Sequence, residues 1–281
     1  MRGGSSMKKL LLASIAVLLL IDGQPALSAD FPIQVRPPVL IPAFTWSSCY
    51  LGAQIGYGWA HKDMTDPVEL VQDSINNFLD LGLPLTPPVN TAGLRPKGYI
   101  VGGQFGCDYQ FAASNWVIGF EGSFTGGDLK GETQIGLPLD PDIPGNPAVV
   151  TARSDFLPSG TVRLGYAWDR WLLYAKAGAA GSSDRYSVSG LFGPLTIVQP
   201  FNFQGVDLRI GWIAGGGVEW AFYEDWSVKV EYEYYNFGHQ SVLMTDSINF
   251  GGTSVFGNVD IRQSVQTVKV GLNFHMWSTR W

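Results

Sequence analysis

The residues able to do chemistry in this chain of 281 residues fall into three sets. The largest is ionisable: Asp108, Glu121, Glu219, Glu231 and Glu233 against Arg163, Lys176, Arg209, Lys229 and Lys269. Many of these alternate with apolar neighbours. Between Trp226 and Tyr234 the even positions hold Trp226, Val228, Val230, Tyr232 and Tyr234, while Ser227, Lys229, Glu231 and Glu233 take the odd ones. Charges collected on one face in equal number can neutralise one another in a salt-bridge network or line a polar passage. The second set is the pair Cys49 and Cys107, too few for a disulfide scaffold or a zinc ribbon. The third is the histidines, of which His61 and His239 end alternating segments. No Gly-x-Ser-x-Gly elbow is present. The glycine runs at Gly102-Gly103 and Gly215–Gly217 lie inside alternating segments and do not open a helix, so they make no phosphate loop. These patterns predict a protein that is not an enzyme.

The elements that must position these residues read as strands. Charged residues make up only 15% of the chain against a usual quarter, whereas aromatics reach 13% with 10 Trp, and there are 35 Gly. That balance excludes a disordered tail or a coiled coil. The net charge of -6 argues against a nucleic-acid partner, which needs a basic surface. Beyond residue 30 no run of eighteen apolar residues offers a membrane helix. Instead, eight stretches alternate with period two: Cys49–Ala60, Tyr99–Tyr109, Trp116–Phe124, Gly160–Tyr166, Trp171–Ser183, Asp207–Ala221, Trp226–Phe237 and Val265–Met276. None contains a proline, as an interior strand requires. Gln110–Asn115, Ala167–Arg170 and Phe222–Asp225 are short connections, and the other four run about 23 to 38 residues. Short turns at one rim and long loops at the other predict an all-β, eight-stranded antiparallel up-and-down transmembrane barrel with both ends on the short-turn, periplasmic side.

A soluble eight-stranded barrel would turn its apolar face inward. Here the apolar face carries Trp59, Trp116, Trp171, Trp212, Trp220, Trp226, Tyr57, Tyr109 and Tyr166 near its borders, as a lipid-facing wall does. The opposite face carries Gln104 and the ten charges, which suit a wet or salt-bridged lumen. The turn at Tyr223–Asp225 sets Glu219 opposite Lys229, and a looser register estimate pairs Glu231 with Lys269. Eight strands leave an interior just wide enough for side chains to fill, so the expectation is a plugged polar core, with a narrow selective pore as the alternative. Cys49 and Cys107 share the lipid-face parity and nearly match the first hairpin's register. They are either a cross-strand disulfide or two free thiols against lipid.

Residues 1–29 read as a signal peptide, with Lys8 and Lys9 before an apolar stretch from Leu10 to Ile21 and small residues at the exit; translation could begin at Met7. Removing Arg2, Lys8, Lys9 and Asp22, together +2, takes the charge from -6 to -8. A Pro-rich periplasmic linker covers 30–45, and the barrel 46–281. In the first long loop Asp66-Pro67-Val68-Glu69, a stripe of Val71, Ile75, Phe78 and Leu79, then Gly82 predict a helix near 66–80. It caps the barrel mouth or docks a partner. The loop around Leu137–Pro147 is Pro-rich and expected to be extended.

The stretch Trp46-Ser-Ser-Cys-Tyr-Leu-Gly-Ala-Gln-Ile-Gly-Tyr-Gly-Trp59 resembles the opening strand of the small alphaproteobacterial outer-membrane surface antigens, the immunogenic and porin-like eight-stranded barrels. Val268–Phe274 is similar to their closing strand and Gly160–Tyr166 to a central one. Cys49 stands where that family usually has an aromatic residue, and the chain runs past the closing strand to Trp281. The resemblance implies a Gram-negative outer-membrane protein that contributes to envelope integrity and surface interaction, with narrow-porin activity or haem binding as alternatives. Its implied partners are outer-membrane lipid and lipopolysaccharide, the assembly machinery of that membrane, and a host or surface ligand at the long loops; a monomer is expected. Some relatives are described as haem binders, which makes His61 and His239 the candidate ligands for haem iron. Otherwise no cofactor or metal is expected.

Overall fold

The computed structural model describes residues 44–65, 91–136, 147–192, 199–246 and 256–276. The expected signal peptide, most of the linker, the helix near 66–80, the segment 137–146 and Trp281 lie outside the described residues. The elements are β1 Ser48–Thr65, β2 Thr91–Leu94, β3 Lys97–Gln110, β4 Trp116–Gly136, β5 Pro147–Trp168, β6 Trp171–Phe192, β7 Gln199–Ala221, β8 Trp226–Asp246 and β9 Phe256–Met276. β2 and β3 each pair antiparallel with β1, the strands from β3 to β9 pair antiparallel in chain order, and β1 pairs with β9, which closes the sheet on itself. β2 and β3 form one wall strand. Lys62 lies opposite Leu94 and Trp59 opposite Lys97, a single register interrupted at Arg95-Pro96. Proline cannot donate to the ladder, but the Pro96 carbonyl still accepts the Ala60 amide at 2.7 Å. The wall is therefore a ring of eight.

Three tight connections lie at one rim. The β5–β6 turn places Trp168 opposite Trp171, with Asp169 at φ 56°. Aspartate tolerates that left-handed conformation better than most residues. The β3–β4 connection holds Ala113 at φ 55°, and Tyr223 and Trp226 bond to each other across the β7–β8 turn. Near this rim Tyr109, Trp116, Tyr166, Trp171, Trp220 and Trp226 are exposed on the outer wall. Farther along, Tyr57, Trp59, Tyr99 and Trp212 form a second exposed set. Between them the outward positions are aliphatic or Phe, including Leu51, Ile55, Val101, Phe120, Val162, Leu164, Val230 and Val270. Water would penalise this band of exposed apolar surface; hydrocarbon accommodates it.

The strands run well past the alternating segments seen in the sequence. β7 has 23 residues and β5 has 22, so much of what reads as long loop is wall. The reason is an inversion of polarity. Beyond the second aromatic set the outward positions turn largely polar on β4, β5 and β6, as at Lys130, Glu132, Arg153 and Arg185, while Val206 and Leu208 on β7 stay apolar. The inward ones turn apolar: Met64, Leu94, Val150, Val188, Phe201, Phe203, Met244 and Ile261 form one buried cluster. Outside lipid the apolar face must leave water, so it packs inside. The strands also admit Pro158, beside which the β5–β6 pairing lapses between Phe156 and Ser159.

Candidate functional site

The barrel interior is layered. Nearest the short turns, Trp46, Val117, Ala167, Leu172, Tyr174 and Ala221 pack together. Above them lies a charged tier drawn from seven strands, β3 to β9. Its centre is Glu121 on β4, which lies 2.8 Å from Lys176 and 2.7 Å from Lys229. Lys176 on β6 also reaches Glu231 at 2.9 Å and Glu233 at 2.5 Å. Lys269 on β9 bridges Glu231 at 3.2 Å and Glu233 at 2.6 Å. Arg163 on β5 spans Asp108, Glu121 and Glu219 at 3.5, 3.4 and 2.8 Å. Glu219 lies directly opposite Lys229, and Glu231 opposite Lys269. Every charged group in this tier is buried.

Neutral donors complete the tier. Tyr50 accepts from Arg163 and donates to Glu121 at 2.7 Å, Tyr174 donates to Glu231 at 3.0 Å, and Tyr235 donates to Glu233 at 2.5 Å. The Arg163 guanidinium also lies 4.1 Å from the centre of the Tyr174 ring, within cation–π range. His275 sits between the hydroxyls of Ser48 and Ser227, each 2.8 Å from a ring nitrogen, and Ser227 donates to Glu219. Each tyrosine ring lies over a glycine directly opposite it on the neighbouring strand, Gly106 for Tyr50 and Gly217 for Tyr174. A Cβ on Gly106 would meet the Tyr50 hydroxyl oxygen at 2.5 Å, and one on Gly217 would meet that of Tyr174 at 2.8 Å. Carboxylate oxygens of Glu121, Glu231 and Glu233 lie within 4.8 Å of one another, spacing that could hold a metal ion. Ammonium groups of Lys176, Lys229 and Lys269 already stand among them, so the arrangement neutralises itself.

A second apolar layer covers the charges on the long-loop side, with Ala60, Ile100, Leu129, Leu157, Ala180, Ile213, Tyr235, Phe237 and Val265. Farther out Lys62 pairs with Asp184 at 2.7 Å, and Ser154 and Ser182 also donate to Asp184. Tyr186 donates to Gln263 at 3.0 Å in the same tier. Sequence reading missed this pair because both residues lie just beyond the alternating segments, at Ala60 and Ser183. Parity alone would have found Lys62, which is in step with Gln54. Arg209 requires a correction. It does not join the Glu121 network but pairs with Asp207 on its own strand and donates to the Ile261 carbonyl. Its position is nearer the long-loop end, and parity carries no information about height along the axis.

Residues 45–274 match the model of the outer membrane protein beta-barrel domain. The chain belongs to that family. The 31 kDa outer-membrane immunogenic protein of Brucella melitensis is 25% identical over 272 residues, which cover 95% of this chain and 99% of that protein. The 25 kDa outer-membrane immunogenic protein of Brucella abortus is 24% identical over 278 residues, 96% of this chain and 98% of that protein. Among solved structures, the outer membrane protein OprG of Pseudomonas aeruginosa aligns with a TM-score of 0.44 at 12% identity, covering 83% of this chain and 99% of that one. The protein is thus an outer-membrane barrel, and the apolar band is its lipid-facing wall.

In this barrel Cys49 and Cys107 lie opposite each other on β1 and β3 and are joined by a disulfide. His61 and His239 are not brought together. His61 lies opposite Ser264 and His239 opposite Arg262, so β9 runs between them, and both are exposed on the outer wall. Two inter-strand spacings are about 10 Å, whereas two imidazoles on one metal stand about twice a bond of ~2 Å apart.

Proposed function

We propose that this protein is a structural surface barrel of the outer membrane, with a lumen that acts as a plug, and that it catalyses no reaction. The layered interior carries this reading. The charged tier is compensated to within one charge, five carboxylates against four cations, and lies between two apolar layers, Trp46 and its neighbours below and Ile100, Leu129, Ile213 and Val265 above. A hydrated ion crossing this stack would have to break buried ion pairs and then pass through tightly packed apolar side chains. Each step carries a large desolvation cost. What remains for function is the rigid wall and what it presents outside the cell. That agrees with the names of the Brucella relatives, which describe immunogenic outer-membrane proteins. A role in envelope integrity and surface contact follows. Liposome swelling provides the test: vesicles carrying the refolded protein should swell in isosmotic arabinose or glycine no faster than empty vesicles. Solute-dependent swelling proportional to the amount of protein would favour the narrow pore instead.

A further inference from the structure

The register aligns four cations across the outside of the wall. Lys97 on β3 lies opposite Lys130 on β4, Lys130 opposite Arg153 on β5, and Arg153 opposite Arg185 on β6. All four point outward. The row ends against Trp59 on β1 and Val206 on β7. Like charges placed directly opposite destabilise a sheet, so three such pairs in succession are unexpected in a chain whose net charge is -6. Two carboxylates among the described residues reach the row. Asp128 lies 2.9 Å from Lys130 and 3.0 Å from Arg153, while Asp155 lies 2.5 Å from Arg153 and 3.3 Å from Arg185. Four cations against two carboxylates leave +2.

The height of the row identifies what would neutralise it. Lys97, Lys130, Arg153 and Arg185 stand 12, 14, 13 and 14 residues from Tyr109, Trp116, Tyr166 and Trp171 of the short-turn girdle. With a rise of about 3.3 Å per residue and a strand tilt of about 40°, each residue adds roughly 2.5 Å of height. The row is then about 30–35 Å above that girdle, roughly 5–10 Å beyond an apolar band about 25 Å tall. That is the headgroup layer of the outer leaflet. Beneath it the wall offers a run of stacked rings, Phe105 on Phe124 and Phe124 on Phe156, with centroids 6.3 and 6.4 Å apart and all three exposed.

We propose that the outer face of β3–β6 is a binding site for a phosphorylated glycolipid of the outer leaflet. The cation row takes the headgroup phosphates, and the phenylalanine run takes its acyl chains. Arg153 and Arg185 offer planar forks suited to phosphate, and Lys97 and Lys130 add point charges. Asp128 and Asp155 orient the cations and temper the site's charge. The site depends on the short turns being periplasmic, not on whether the lumen conducts, so its failure would leave the plug reading untouched.

The test uses the mature barrel in vesicles of phosphatidylcholine alone, with diphosphoryl lipid A, or with dephosphorylated lipid A. The unfolding temperature is read from loss of the compact gel band. Diphosphoryl lipid A should raise it, and the dephosphorylated form should not. A variant combining Lys130→Gln, Arg153→Gln and Arg185→Gln should need at least roughly tenfold more lipid A for the same gain, because each juxtamembrane cation adds to anionic-lipid affinity. Free pyrophosphate added to phosphatidylcholine vesicles should not reproduce the gain; if it does, the site takes a soluble anion and the lipid assignment is overturned. An equal gain in the variant, or with dephosphorylated lipid A, overturns the site itself. Should the triple variant not fold, Asp128→Asn with Asp155→Asn, which makes the row more positive, should enlarge the wild-type gain; an unchanged gain overturns the site equally.

Discussion

Lys176→Met probes the charged tier most sharply. Lys176 touches Glu121, Glu231 and Glu233 at 2.8, 2.9 and 2.5 Å, and its side chain is fully buried. The tier holds five carboxylates, Asp108, Glu121, Glu219, Glu231 and Glu233, against Arg163, Lys176, Lys229 and Lys269. Methionine keeps most of the volume but takes the formal balance from -1 to -2, leaving the remaining lysines to serve the three glutamates. Removing one partner from a buried ion network costs about 3–5 kcal/mol, because the stranded charge keeps its desolvation penalty. Lys130→Met, at an exposed position, should cost below about 1 kcal/mol in phosphatidylcholine. The assay is equilibrium urea unfolding in vesicles, followed by tryptophan fluorescence. A second change, Glu233→Gln, should recover at least about 1 kcal/mol when combined with Lys176→Met, since contacting residues are not additive. A loss under about 1 kcal/mol for Lys176→Met, or strict additivity with Glu233→Gln, would refute the compensated tier.

Three further outcomes are expected. Denatured, unreduced protein should show no free thiol, and Cys49→Ser with Cys107→Ser should lose stability on the order of 4 kcal/mol if chain entropy over the 58-residue separation dominates. Haemin titrated into the barrel should give no saturable Soret shift that depends on His61 or His239; a shift abolished by either change would restore the haem site. In the extracellular extension, burial pushes Asp184 up, but Lys62 and the hydroxyls of Ser154 and Ser182 outweigh it and hold the carboxyl below its ordinary 3.8. A depressed carboxyl contributes stability that is present above the ordinary value and lost as pH falls through the lowered one. Proteolysis of the extension should therefore rise only below about pH 4, and Asp184→Asn should remove that acid dependence.

The membrane part of the barrel was legible because lipid outside and charge inside make every second residue differ in kind. Trp226–Tyr234 states that alternation without interruption. The turn at Tyr223–Asp225 was equally informative, since a short connection dictates which residues face each other, and Glu219 does face Lys229. The extension was not legible. There the faces exchange character, so β5 and β7 continue where the expected pattern stops. The histidines show the same limit differently. Register estimates place a residue along its strand, but the distance around the ring depends on how many strands intervene, and β9 separates His61 from His239. The roles of His275, Tyr50 and Tyr174 in the network escaped notice because hydroxyls and a ring nitrogen join it by hydrogen bonds that no charge pattern reveals.

Single-channel recording in a planar bilayer tests the central claim most directly. The refolded wild-type barrel, with insertion verified by its compact gel band, should give no steady unitary conductance across a wide range of voltage in concentrated KCl. A reproducible conductance step, scaling with salt and seen in every preparation, would contradict the plug and show that the charged tier lines a path.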